Sequence, residues 1–257
     1  MEKGKKIMMV LGIIVAAIVL CMLIGAIVHA TFLKEKVGRI KPYGQLVNMD
    51  GGQMHVFSVG SGQKTIVLLP GMGVSLPSAE FGPLMRKLGE KYTVVCVEYF
   101  GVGFSGQTAA PRDCENYVEE TRTALDKAGF KAPYVLMPHS ISSVYSEYYA
   151  AKYPKEVEAI ISLDGTSTAY YEKMPAIVKS LLPIAKFQQA TGGTALMASL
   201  ATNRKSLRSN GYTEKEIDDM IAFAGFEILD GTHFIYLNNV NRIAQIADEV
   251  IAQGGAI

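Results

Sequence analysis

The chain has 257 residues, 49% of them hydrophobic, with 25 Lys and Arg against 24 Asp and Glu. Scattered, near-neutral charge offers no global field to nucleic acid and no acidic tail, and the length suffices for a sizeable core. Cys21, Cys96 and Cys114 lack metal-ligand spacing, which argues against a zinc module or a disulfide scaffold and implies no metal.

The mean hydropathy of +0.19 is high, and its excess lies at one end. Ile7 to Val28 is an uncharged apolar run of 22 residues, long enough as a helix to cross roughly 30 Å of hydrocarbon. Lys3, Lys5 and Lys6 precede it; Lys34, Lys36, Arg39 and Lys41 follow. A cleaved signal peptide would use Val28-His29-Ala30, but its apolar core should span only about 7–15 residues. An uncleaved signal anchor over residues 1–33, touching membrane lipid through 7–28, fits the length better. Residues 34–42 read as a short polar linker. The expectation is a single-pass protein with its N-terminus inside and residues 43–257 outside the cytoplasm.

Beyond Gly44 strands and helices alternate. Gln45–Met49 and Gln53–Val59 flank Asp50-Gly51-Gly52, a hairpin signal. Thr65–Leu69 and Thr93–Val97 are continuous apolar runs, as expected of strands buried on both faces of a parallel sheet. Ser78–Lys87 reads as a helix between them. Asp113 suits the N-cap of a helix to about Lys127, stopped at Gly129. Tyr134–Met137 is the next strand, followed by a helix from about Ile141 to Lys152 and a strand Val157–Leu163. Such repeated units imply an open, mostly parallel α/β sheet with helices on both faces, its ligand site at the carboxyl ends of the strands. Residues 166–224 lack a buried strand and read as a helical cap interrupted by Pro175, Pro183 and Gly192-Gly193. Within it Thr213 and Glu216 form a capping box for a helix to about Phe223. Ile177, Val178, Leu181, Leu182, Ile184, Leu196, Met197 and Leu200 could line an acyl pocket, although such stripes more often pack onto the body. Phe226–Leu229 reads as a short strand and Asn239–Ala252 as a closing amphipathic helix.

Pro138-His139-Ser140-Ile141-Ser142 lies between a strand and a helix. A serine at such a turn projects above the sheet edge, with free N–H groups of the helix start behind it. The stretch resembles the nucleophile elbow of the α/β-hydrolases, usually G-x-S-x-G, with Pro138 and Ser142 in place of the glycines. Three further motifs occur in the family's order. Leu68-Leu69-Pro70-Gly71-Met72-Gly73 is similar to the H-G-x loop, with Pro70 in place of histidine. Glu98-Tyr99-Phe100-Gly101-Val102-Gly103-Phe104-Ser105 is similar to the D-x-x-G-x-G-x-S turn, with Glu98 for aspartate. Tyr153-Pro154-Lys155-Glu156-Val157 and Leu163-Asp164-Gly165 match the helix exit and the next strand end. The resemblance implies an α/β-hydrolase fold with a helical cap, Ser140 as nucleophile, and the backbone N–H groups of Met72 and Ile141 as oxyanion hole.

A serine needs a positioned imidazole to take its proton. His29 borders the apolar run, His55 lies in the hairpin, and His139 is expected to point away from Ser140. His233, after the last strand and before the last helix, stands where the family places its base. The family's acid usually lies some two dozen residues earlier, but Asn203–Gly211 holds Arg204, Lys205 and Arg208 and no carboxylate. One strand–loop unit is missing. Some members carry the acid after the strand that follows the nucleophile helix, which implies Asp164; Asp230, Asp218 and Asp219 are weaker candidates.

These residues imply a membrane-anchored serine hydrolase cleaving a carboxylic ester, or a related small-molecule acyl substrate. No cofactor is implied, since Gly101-Val102-Gly103 is no dinucleotide fingerprint and there is no P-loop. The missing strand supports a different reading, a non-catalytic or truncated homologue acting as a binding module.

Overall fold

The computed structural model describes residues 2–28, 31, 34–167, 200, 202–224 and 240–252. The apolar run lies within helix α1 (Glu2–Val28), which from Lys6 to Val28 is long and apolar enough to cross a membrane. A short helix α2 (Lys34–Gly38) follows.

Six strands make one sheet: β1 (Gln45–Met49), β2 (Gly52–Val59), β3 (Thr65–Leu69), β4 (Thr93–Glu98), β5 (Tyr134–Pro138) and β6 (Val157–Ile160). Their order is β1-β2-β4-β3-β5-β6. The β1–β2 hairpin is antiparallel and joins antiparallel to β4; the other pairs are parallel. The crossover order places the ends of β3 and β5 side by side, with Leu69 opposite Pro138.

The period of two in the central strands divides two cores. Ile66, Leu68, Val94, Cys96, Val135 and Met137 face one side. There they meet Leu84, Met85 and Leu88 of helix α4 (Gly82–Leu88) and Ile243, Ala244 and Ala247 of the final helix. Val67, Leu69, Val95, Val97 and Leu136 face the other. They pack on Leu125 of helix α5 (Cys114–Lys127) and Tyr149 of helix α6 (Ser142–Lys152). Each fully buried aliphatic side chain contributes roughly 1.5–3 kcal/mol.

A third cluster lies at the carboxyl end of the sheet. Helix α3 (Pro77–Glu80) packs there against helix α8 (Glu214–Phe223), which follows helix α7 (Arg204–Ser209); helix α9 (Val240–Ala252) closes the described chain. Leu76, Ala79, Tyr212, Ile217, Met220 and Phe223 are buried in this cluster, and Val37, Ile40 and Tyr43 pack against it.

Two expectations need correction. The single helix over Ser78–Lys87 is two helices, because Pro83 in the first turn of α4 has no N–H to continue the ladder from α3. The strand Val157–Leu163 pairs regularly only to Ile160, after a register shift at Tyr134/Val135, and Leu163 rejoins the sheet as a lone bridge to His139. The helix caps agree with the sequence. Asp113 accepts the Asn116 N–H at 2.9 Å, and Thr213 with Glu216 forms the full capping box. The Phe226–Leu229 strand and the cap residues 170–199 lie outside the described residues.

Candidate active site

Ser140 is built into the turn between β5 and α6 by hydrogen bonds on both sides. The His139 N–H donates to the Leu69 carbonyl at 2.9 Å, and the Ser140 N–H donates to the Leu163 carbonyl at 3.2 Å. The Ser142, Ser143 and Val144 N–H groups then turn back onto residues 139, 140 and 141, at 3.1, 3.0 and 3.0 Å. This tight reversal holds Ser140 at φ 54°, a left-handed conformation that costs an L-residue roughly 1–3 kcal/mol. Ile141, not Ser140, occupies the N-cap of α6, so the serine hydroxyl is not committed to capping.

Gly71 explains how the loop after β3 comes so near. A Cβ there would lie 2.6 Å from His139 Nδ1 and 2.8 Å from Ser140 Cβ, so only glycine fits without displacement. Ser140 is 7% exposed, whereas Met72, the next residue after Gly71, is 68% exposed. His139 is fully buried beside Gly71.

Ser142, where the family carries glycine, adds a bond that glycine cannot make. Its hydroxyl donates to the Pro70 carbonyl at 2.5 Å, and therefore receives the hydrogen of the Tyr99 hydroxyl, 2.8 Å away. The relay ties β4, the elbow and the start of the Gly71–Met72 loop together. Tyr99 is fully buried, and desolvation drives its ionisation far above the ordinary phenol range.

The other end of that loop is held by Glu80. Its Oε1 accepts the Ser75 N–H at 3.0 Å, the Leu76 N–H at 3.1 Å and the Ser75 hydroxyl at 3.3 Å. Burial pushes its ionisation up to about 7, against the lowering effect of these bonds. Sequence reasoning missed Glu80, Ser142 and Tyr99 as loop supports. One signal was available, since Glu80 is the single charged residue between Thr65 and Met85.

Glu98 replaces the family's aspartate and is also buried. One oxygen accepts the Ser78 N–H at 3.0 Å; the other accepts the Phe104 N–H at 2.7 Å and lies 3.1 Å from His55 Nδ1. His55 Nε2 accepts the Gly44 N–H at 2.8 Å, which fixes the Nδ1–H tautomer. The Nδ1–H aligns poorly with the carboxylate, so the contact is mainly electrostatic. His55 is thus spent on structure.

Asp164 is exposed and sits at φ 49°, directly after the Leu163 carbonyl that accepts the Ser140 N–H. The fold therefore brings Ser140, Ile141, Met72 and Asp164 to one end of the sheet. His233, Asp230 and His29 lie outside the described residues. Asp218 bonds Arg204 at 2.8 Å, and Asp219 accepts the Tyr43 hydroxyl at 2.7 Å and pairs with Lys215. Asp218 is thus paired within the cap, and Asp219 joins the cap to Tyr43 of the body. Among the described residues no cluster of three His, Cys, Asp or Glu side chains could hold a metal.

Comparison with known proteins agrees with this architecture. Residues 64–205 match the family model of the alpha/beta hydrolase fold. The uncharacterized protein YbdG of Bacillus subtilis is 33% identical over 233 residues, covering 89% of this chain and 72% of that protein. The 2-(acetamidomethylene)succinate hydrolase of Mesorhizobium japonicum is 28% identical over 105 residues, covering 41% of this chain and only 37% of its own length. Among solved structures, carboxylesterase CesB (YbfK) from Bacillus subtilis superposes with a TM-score of 0.53 at 17% identity, covering 82% of this chain and 70% of that one. From the elbow, the sheet order and these matches together, the chain belongs to the α/β hydrolase fold family.

Proposed function

We propose that the protein is a membrane-anchored serine hydrolase acting on a carboxylic ester or a related acyl substrate. Residues 1–33 serve as anchor, 34–42 as linker, and 43–257 as the hydrolase domain, outside the cytoplasm, with its cap at about 166–224. Ser140 Oγ attacks the carbonyl carbon while His233 takes its proton, and Asp164 orients and charge-balances the imidazole. The Met72 and Ile141 N–H groups receive the developing oxyanion. His233 then returns the proton to the departing alkoxide, and water repeats the sequence on the acyl-enzyme, releasing the acid.

The observation that carries this reading is Ser140 itself, held at φ 54° beside a glycine that no other residue could replace. Strain of this kind at a strand-to-helix serine is what a nucleophile elbow requires. A fluorophosphonate probe labels the full chain, and Ser140→Ala abolishes labelling; retained labelling in that variant rejects Ser140.

One observation favours the second reading, a binding module without catalysis. The segment 203–211, where the acid would stand, contains helix α7 with Arg204, Lys205 and Arg208. An unlabelled native chain that still binds an acyl ester would establish it.

A further inference from the structure

The linker after α1 is not a loose leash. The Thr31 hydroxyl donates to the Ile27 carbonyl at 2.7 Å, which ties Thr31 back to the end of α1. Three Cα steps separate Thr31 from Lys34, a reach of at most about 11 Å. From Lys34 the chain is docked. Val37 and Ile40 pack against the cluster of Leu76, Ile217, Met220 and Phe223. Tyr43 is its pivot: its ring meets Phe57 at 5.8 Å and Phe104 at 5.7 Å, and Phe104 meets Phe223 at 5.0 Å. The Tyr43 hydroxyl is bonded to Asp219, and the Lys215 ammonium lies 4.2 Å from the ring centre.

Leu76 belongs to the loop that begins at Gly71 beside Ser140, and its N–H is held by Glu80. The linker is therefore fastened to the site end of the sheet. Lys36 and Lys41 are exposed beside this contact, as cations at a headgroup layer would be.

Resting on the reading of Ser140 as a membrane-anchored nucleophile, we propose that the short docked linker holds the carboxyl end of the sheet at the bilayer surface, and that the substrate is an acyl ester resident in the membrane. A tether of a few residues fixes both distance and orientation, whereas a long flexible one fixes neither.

The test uses the full chain in phospholipid vesicles containing a fluorogenic long-chain acyl ester, with a water-soluble short-chain ester as reference. A second chain carries about 20 Gly/Ser residues inserted after Thr31, long enough for the body to tumble freely. Vesicle flotation checks insertion, and the fluorophosphonate probe counts active Ser140. The inserted chain should hydrolyse the soluble ester at the native rate and the vesicle ester on the order of tenfold more slowly. Val37→Asp, which unseats the linker without lengthening it, should shift the same ratio in the same direction. An unchanged ratio in both variants, or a chain that does not float with vesicles, overturns the inference while leaving the hydrolase reading intact. Absence of labelling and of hydrolysis on both esters overturns the hydrolase reading, and this inference with it.

Discussion

Glu80 offers the sharpest physical test of the site's construction. Its carboxyl is wholly buried and ionises near 7, well above the 4.5 of an exposed glutamate. Below about pH 4.5 both folded and unfolded chains hold the proton, and Glu80 leaves stability unaffected. Between 4.5 and 7 the unfolded chain releases its proton while the folded one keeps it, so stability falls as pH rises. Above 7 the loss levels off at about 3 kcal/mol. The groups facing Glu80 add to this: Glu98 raises its ionisation further, and the Cys96 thiol and Tyr212 phenol, themselves pushed up by burial, remain neutral. In Glu80→Gln the amide oxygen can keep the Ser75 and Leu76 N–H groups without a charge. Urea unfolding of the full chain in detergent micelles, followed by far-UV circular dichroism from pH 4 to 8, should show parent and variant equal at the acid end. By pH 8 the variant should be more stable by about 3 kcal/mol. A difference that does not change with pH, or a parent more stable at pH 8, refutes the assignment.

Three other outcomes follow from the same geometry. Ser142→Ala removes the relay from Tyr99 to the Pro70 carbonyl; unfolding measurements should show a loss of about 1–3 kcal/mol, and kcat on a soluble ester should fall more than KM changes. Ser140→Gly should be more stable than Ser140→Ala by about 1 kcal/mol, because glycine adopts φ 54° without strain; equal melting temperatures would deny the strain. Gly71→Ala places a methyl against His139 and Ser140, and should cost about 1–3 kcal/mol and eliminate probe labelling.

The sheet was readable because its central strands are buried on both faces. Ile66–Leu69 and Val94–Val97 leave little room for another interpretation, and Pro138 to Ser142 announce a turn between strand and helix. The supports of the site were not readable, since each depends on partners distant in sequence. Glu80 sits in what reads as an ordinary helix until Ser75 and Leu76 turn their amides toward it. Ser142 looks like a tolerated replacement for glycine until Pro70, 72 residues earlier in the chain, supplies the acceptor. Pro83 could have announced the break between α3 and α4, which reads in sequence as one helix over Ser78–Lys87. The linker's docking was invisible for the same reason: Val37, Ile40 and Tyr43 are spaced as a few apolar residues in a polar stretch, with nothing local to say what they meet.

The single carboxylate of Glu98 has a dynamic consequence. It joins the amide of Ser78, in the short helix α3 that packs against α8, to the amide of Phe104, whose ring meets Phe223 and Tyr43. Neither segment can leave without stranding a buried hydrogen-bonding group, so the two are coupled in opening. In hydrogen exchange such segments share one opening free energy and behave as one cooperative unit despite their separation in sequence.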